Sequence, residues 1–267
     1  MVRRFAIPTL AALAALMASP AARAADMPMP PPAAAEPCCN WYLRGFVGEG
    51  MTNKFGIQYL PAPANVGNGF AFDQNSNADT FFIGGGIGYN FNSWLRFDGT
   101  AEYRGRTLVN ARGVYNPLNG DGDAYQGYIK SWVFLANAYV DLGTWNCFTP
   151  YVGAGVGGAY NQLVDFVDMG IGTTGVGFGR NSANWSLAWA LHAGISYDLS
   201  KSLKVDLAYR YLNYGSVTDT VDCVGGCVPD SYKFNNLSSH DIMLGLRWTC
   251  CDVEQPRQVY MPLHSKG

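Results

Sequence analysis

The sequence predicts an all-β chain: a closed, eight-stranded antiparallel transmembrane β-barrel with short periplasmic turns and long extracellular loops. Three observations carry this. Between Asn40 and Cys250, apolar and polar residues alternate with period two in eight segments, and the 3.6-residue helical period is nearly absent. The segments run to about ten residues or more, where strands of soluble domains run to about five or six and a tilted bilayer crossing takes about 9 to 11. The connections alternate between short and long, as they do when one barrel end faces the periplasm and the other the outside.

Arg3 and Arg4 precede an apolar run from Phe5 to Met17, and Ala22-Arg23-Ala24 fits a small-x-small cleavage site. Residues 1–24 therefore read as a secretory signal peptide, since the run is shorter than the roughly 20 residues of a membrane-spanning helix. Residues 25–39 open with "ADMPMPPPAAAEP", whose prolines exclude a helix or a central strand, so they read as a solvated, Pro-rich periplasmic leader. Met27 and Met29 offer two thioethers without a companion His, too weak a set for copper. Residues 40–250 form the barrel, and residues 251–267 a periplasmic tail.

In chain order the strands are centred on "WYLRGFVG", "FFIGGGIGYNF", "WLRFDGTAEYRGR", "YIKSWVFLANAYVD", "TPYVGAGVGGAY", "WSLAWALHAGISYD", "LKVDLAYRY" and "HDIMLGLRW". The first and fourth leave open which side faces where. The third sets Leu95, Phe97, Gly99, Ala101 and Tyr103 against Arg96, Asp98, Thr100, Glu102 and Arg104. The sixth alternates strictly, with Trp185, Leu187, Trp189, Leu191, Ile195 and Tyr197 on one face and His192 on the other. Short connections fall near Asn92-Ser93, Gly143 to Cys147 and Ser200 to Ser202; long ones at 53–77, 107–125, 162–184 and 217–237. "GIGYNFNSWLRFD" and "GISYDLSKSLKVD" match in register, so two hairpins of one design share an orientation.

A ring of eight strands has too narrow an interior for a large apolar core, so the aromatic-rich face looks outward into lipid and the charged face looks inward. The inward face then carries Arg44, Arg96, Arg104, Lys204, Arg210 and Arg247 opposite Asp98, Glu102, Asp198, Asp206 and Asp241. Buried charges persist when paired, so these residues read as a polar plug of the lumen, with Gly84, Gly86, Gly153 and Gly155 leaving them room. The formal charge of −2 excludes a nucleic-acid-seeking chain, and 14% charged residues is low for a soluble domain, where about 25% is usual.

On "WYLRG", "GIGYNFNSWLRFDGTAEYR", "YVDLGTW", "TPYVGAGVGGAY", "WALHAGISYDLSKSLKVDLAYRYLNYG" and "DIMLGLRW", the chain resembles the OmpA-like eight-stranded barrels. Within these it is most similar to the alphaproteobacterial porin-family surface antigens of heat-resistant-agglutinin-like type. The resemblance implies the Gram-negative outer membrane, with its lipid and lipopolysaccharide as surroundings and the barrel-assembly machinery at insertion. It also implies periplasmic termini, loops open to a host or surface ligand, and a role in envelope integrity or host contact. It brings no catalytic residue and no cofactor. Two departures stand out: the residues that follow Trp248, and the doublets Cys38-Cys39 and Cys250-Cys251.

Three functions compete on the residues alone: a non-enzymatic scaffold presenting surface loops, a small-solute porin or narrow diffusion channel, and a membrane-embedded enzyme. Enzymatic chemistry is disfavoured because His192 reads as a structural histidine, and because His240, although near Ser238, has Asp241 on the opposite face. An acyl-chain site would also need an apolar lumen, which the charged face denies. "NGDGDA" spaces Asn119, Asp121 and Asp123 like a calcium loop, but Ala124 and Lys130 occupy the glycine and final glutamate positions, so a solvated turn is the better reading. No metal or cofactor site emerges. Among seven cysteines, Cys223 and Cys227 are close enough for a local bridge. A second bridge is expected across the closing seam, from Cys38 or Cys39 to Cys250 or Cys251, leaving Cys147 unpaired.

Overall fold

A computed structural model describes residues 40–60, 71–116, 121–172, 175–225 and 230–249. The expected signal peptide, leader and tail lie outside these residues, as do Cys38, Cys39, Cys227, Cys250, Cys251 and Asn119.

Every regular element among the described residues is a strand: β1 (Trp41–Thr52), β2 (Gly56–Leu60), β3 (Ala71–Asn77), β4 (Thr80–Asn90), β5 (Leu95–Asn116), β6 (Asp121–Asp141), β7 (Phe148–Ile171), β8 (Val176–Gly179), β9 (Ala183–Asp198), β10 (Leu203–Val224) and β11 (Asp230–Thr249). Eight of them, β1, β4, β5, β6, β7, β9, β10 and β11, pair antiparallel with their neighbours, and β1 closes on β11 from Tyr42 opposite Thr249 to Thr52 opposite Ser239. The ring leaves no strand edge in the membrane, which is what hydrocarbon demands of a sheet.

The outward face is the apolar one. Trp185, Leu187, Leu191 and Ile195 of β9 are exposed, Leu187 by 70%, while Ala188, Ala190, His192 and Ser196 between them are buried. Aromatic pairs gather near both ends of this band. Trp41 with Tyr89, Phe91 with Phe97 and Phe148 with Tyr197 sit toward the short turns; Tyr103, Trp132, Phe134, Tyr160 and Trp185 form a chain of contacts toward the other end. Such girdles settle at the two bilayer interfaces.

The repeated hairpins prove identical in their turns. Phe91 and Asn92 donate to the Leu95 carbonyl as Leu199 and Ser200 donate to that of Leu203. Asn92 Oδ1 accepts from Leu95 N at 2.7 Å, and Ser200 Oγ accepts from Leu203 N at 3.1 Å. The third short turn is tighter: Trp145 and Phe148 exchange backbone hydrogen bonds around Asn146 and Cys147, both at positive φ. That geometry matches the right-handed twist of the strands it joins. Cys147 is free and exposed there.

Among the described residues, much of the sequence of the long connections is strand. β5, β6, β7, β10 and β11 continue for 20 to 24 residues each, and β2, β3 and β8 add on to the wall, so the barrel extends beyond the aromatic girdle as a strand-built tip. Asp121 and Asp123, expected in a solvated turn, lie instead on β6. The period-two pattern breaks because extra residues enter the strands at one level. The β5–β6 register shifts between Arg104 and Thr107, the β6–β7 register between Gln126 and Tyr128 beside Asp165 (φ 51°), and the β10–β11 register around Gly215 (φ 86°) and Asn236 (φ 58°). Each insertion moves the following side chains to the opposite face.

A closed ring predicts heat-modifiable mobility. Unheated protein in SDS should migrate faster than boiled protein on a gel, and identical mobilities would mean that the ring does not close in solution.

Candidate functional site

The site is the lumen, because there the residues with chemistry converge. Within the membrane-crossing part, every inward-facing strand position opposes another across a narrow space, and the charged ones sort into three connected groups.

At the short-turn end, Arg247 donates to Asp206 (3.1 Å) and to Ser196 Oγ (2.7 Å), and Ser196 donates to Asp206 at 2.5 Å. Arg96 lies between the rings of Tyr139 and Tyr151, its guanidinium carbon 4.3 and 4.5 Å from their centroids, with Nε 3.1 Å from Asp141. Lys204 pairs with Asp198 at 2.6 Å, but both remain about a third exposed, so this pair sits at the rim and not within the plug.

One level up, Asp98 is the hub. It accepts from Arg44 (2.8 Å), Tyr42 (3.1 Å) and Asn137 (2.8 Å), and Arg44 also reaches Tyr139 at 2.8 Å. His192 Nε2 lies 3.2 Å from Asn137 Oδ1, within this buried group.

Highest is a quartet of alternating charge. Arg104 binds both oxygens of Asp241 (3.0 and 2.9 Å) and Glu102 (3.0 Å), while Arg210 binds the same two carboxylates at 2.6 and 2.7 Å. Ser239 adds a 2.7 Å bond to Asp241, and Phe82 lies 4.8 and 5.0 Å from the two guanidinium carbons. All four charged side chains are at most 2% exposed. In a low-dielectric interior such groups hold their charge only when each is matched and hydrogen-bonded. Gly50 makes the close approach possible: a Cβ there would collide with Arg104 and Asp241.

The sequence reading identified Arg44, Arg96, Asp98, Glu102, Arg104, Asp206, Arg210 and Arg247, all of which the structure buries. It missed Tyr42, Phe82, Asn137, Tyr139 and Tyr151, which fill the space around them. Asn137 and Tyr139 sit on the fourth segment, where apolar residues occupy both faces. The expected use of Gly84 and Gly153 shifts as well, since they make room for the rings of Phe46 and Tyr139.

Above the quartet the lumen is apolar, which corrects the expectation that charge excludes an apolar interior. Val109, Ile129, Val133, Leu163, Phe166, Leu212, Val217, Phe234 and Leu237 belong to one buried cluster that Phe55 of the β1–β2 link joins from above. Side chains fill this space too. His240 points outward, its Nδ1 2.6 Å from the Tyr209 hydroxyl, on the face opposite Asp241. No group of three or more metal-ligating side chains occurs among the described residues.

A lipid-facing wall, two aromatic girdles and a self-neutralising lumen define a small integral barrel of the outer-membrane type. Residues 9–249 match the outer membrane protein beta-barrel domain family, and the chain belongs to that family. It is 34% identical over 271 residues to an uncharacterized protein of Brucella abortus, covering 85% of this chain and 92% of the relative. It is 28% identical over 220 residues to the outer membrane protein PagN of Salmonella typhimurium (78% and 88% covered). A Rickettsia conorii protein whose name proposes an adhesin is 27% identical over 215 residues (78% and 82%). In three dimensions the chain superposes on the outer membrane protein OprG of Pseudomonas aeruginosa with a TM-score of 0.50 at 15% identity, covering 78% of this chain and 94% of OprG.

The quartet makes Asp241 the most demanding charge to remove. Asp241→Ala leaves two guanidinium groups sharing one carboxylate, and a broken buried pair costs about 3 to 5 kcal/mol. The temperature of the gel-mobility shift should fall for Asp241→Ala and Asp206→Ala, and stay unchanged for Asp222→Ala, whose partner Arg180 is exposed on the tip. Equal, negligible effects at all three positions would place the inward charges in bulk water.

Proposed function

We propose that this barrel is a non-enzymatic envelope scaffold that presents a strand-built tip at the cell surface, in the manner of a surface antigen or adhesin, with its termini in the periplasm. The carrying observation is the Arg104–Asp241–Arg210–Glu102 quartet. An inward face taken up by mutually paired side chains argues against a wide aqueous path and against a carboxylate or histidine poised for catalysis. The tip is what this rigid scaffold holds out, and surface elements positioned by a rigid scaffold are where binding resides. The adhesin-like name of the Rickettsia relative supports the same direction.

The reading fixes a sidedness that Cys147 can report, because this free cysteine lies in the middle short turn. A membrane-impermeant maleimide should modify Cys147 only after the outer membrane is permeabilised, as read by peptide mapping. In planar bilayers the purified protein should be electrically silent. Labelling of Cys147 in intact cells would reverse the orientation, and stable, salt-dependent conductance steps would favour the channel reading over the scaffold.

The cysteine pairings are part of the proposal. Tyr42 stands opposite Thr249 at the seam. In sequence the Cys38-Cys39 doublet precedes β1 by Asn40 alone and the Cys250-Cys251 doublet follows β11 directly, and Cys223 is the penultimate residue of β10, four positions before Cys227. Non-reducing peptide mapping of exported protein should recover one linked peptide joining the doublets and one joining residues 223 and 227. Free thiols at all four doublet positions would remove the seam staple.

A further inference from the structure

The two halves of the interior differ in charge balance. Below the bulges each inward acid meets an inward base. Above them the inward positions carry Asp121 and Asp123 on β6, Asp168 on β7, Asp219 on β10 and Asp230 on β11, and no inward-facing Lys or Arg occurs among the described residues of the tip. The residues that join the strands there, 61–70, 117–120, 173–174 and 226–229, contain no Lys, Arg or His either. Arg180 is committed outside, on Asp222.

Tyrosine hydroxyls stand where arginines stand lower down. The Tyr125 hydroxyl lies 3.3 Å from Asp123, the Tyr232 hydroxyl 3.0 Å from Asp168, and the two hydroxyls 3.5 Å apart. With Asp168 protonated the donors run one way, Asp168 to Tyr232 to Tyr125 to Asp123, whereas with both acids ionised each tyrosine donates to its own carboxylate and the hydroxyl pair has no proton to share. Tyr59 of β2 donates to Asp230 at 2.6 Å, and its ring packs 5.5 Å from that of Tyr232. Phe166 stacks on Tyr125 and lies 5.7 Å from Tyr232, so the hydroxyl chain rests on the top of the apolar cluster. β8 brings only Gly177 beside Asp168, and Asp219 of β10 is held apart by Ser182 Oγ at 2.5 Å.

From this arrangement we propose that the tip is an acid-locked clasp: the Asp123–Tyr125–Tyr232–Asp168 chain holds β6, β7 and β11 together in its protonated form and releases them as the pH rises through neutrality. A neutral acid at Asp168 donates where a carboxylate would repel Asp123 and Asp230. Burial pushes the Asp168 carboxyl up to about 7, and the neighbouring Asp123 charge adds to this. Burial raises the Asp123 carboxyl too, with Asp230 contributing. The sign is that of a raised acid: once the tip opens, Asp168 ionises near the usual 4, so the closed form is fully favoured below that pH. It loses ground as the pH rises to about 7, and the dependence levels off above.

The clasp belongs to the tip itself and is read without any surface ligand, so its failure and that of the adhesin reading are separable. Hydrogen exchange on the full folded barrel in detergent, corrected for intrinsic chemical rates, should show protection of peptides covering 121–128, 163–171 and 230–237 falling roughly tenfold or more between pH 5 and pH 8. The membrane-crossing segments should stay flat. Asp168→Asn, neutral at every pH, should keep the tip protected at pH 8. If that variant does not fold, Asp123→Asn should move the transition to lower pH by removing the charge that disfavours Asp168 ionisation. Flat tip protection in the unmodified protein, or a profile that neither variant alters, overturns the clasp.

Discussion

Everything in this barrel depends on where its charges can go. A sheet that closes in hydrocarbon must turn its apolar face outward, so the polar half of each alternating strand is confined to a lumen too narrow for bulk water. Charges in that position survive only against opposite charges. The structure meets the demand with alternation, so that Arg104 and Arg210 never face each other without Asp241 or Glu102 between them. Aromatic rings do the remaining work: Phe82 beneath two guanidinium groups, and Tyr139 and Tyr151 around Arg96, fill volume while offering a π-face to a cation. Removing single partners is therefore costly, whereas the rim pair Lys204–Asp198, still reached by solvent, carries little stability.

The bulges mark a change in solvent. Below them the wall is lipid-facing and the lumen charged; above them the wall meets water and the interior becomes a conventional apolar core around Leu163, Phe166 and Phe234. The strand phase inverts at this level on β5, β7, β10 and β11, whereas β6 keeps its odd-numbered residues inward from Tyr125 to Tyr139. Gly215 on β10 shows how: at φ 86° it absorbs the extra residue, and buried positions pass from Leu212 and Tyr214 to Val217, Asp219 and Val221. A Cβ at residue 215 would also strike Ser186 across the lumen wall, so the position favours glycine for space as well as for conformation.

The membrane-crossing strands were legible in the sequence because hydrocarbon enforces strict alternation. "WSLAWALHAGISYD" reads correctly residue by residue, and so do the charged positions of β5 and β10 apart from Lys204, which lies at the rim. The fourth segment was harder because Val133 and Leu135 face inward while Trp132 and Phe134 face outward, leaving no polar side to read. The tip was illegible for a different reason. Its strands are as long as those below, but the inserted residues at Gly105–Arg106, Asp165, Gly215 and Asn236 break the period within any window that spans them, and water outside allows polar residues on the outer face. Stretches that looked like loops were thus strands whose phase had changed. The inward aromatic residues escaped because nothing local distinguishes a Tyr in a lumen from one in a girdle.

The same constraint explains why only the upper interior can hold acids without bases. In the membrane an unpaired carboxylate has no solvent to retreat to, so each lumen acid there is matched by an arginine. At the tip, opening a few strand pairs brings water, which caps the cost of a mismatch at the free energy of that local opening. Asp123 and Asp168 can therefore be held by tyrosine hydroxyls and protons in place of cations. A proton is a counter-charge whose supply changes with the medium outside the cell. An interior balanced by arginine is indifferent to that medium, and one balanced by protons is coupled to it, so the boundary drawn by the bulges separates a part of the barrel that must not respond to its surroundings from one that can.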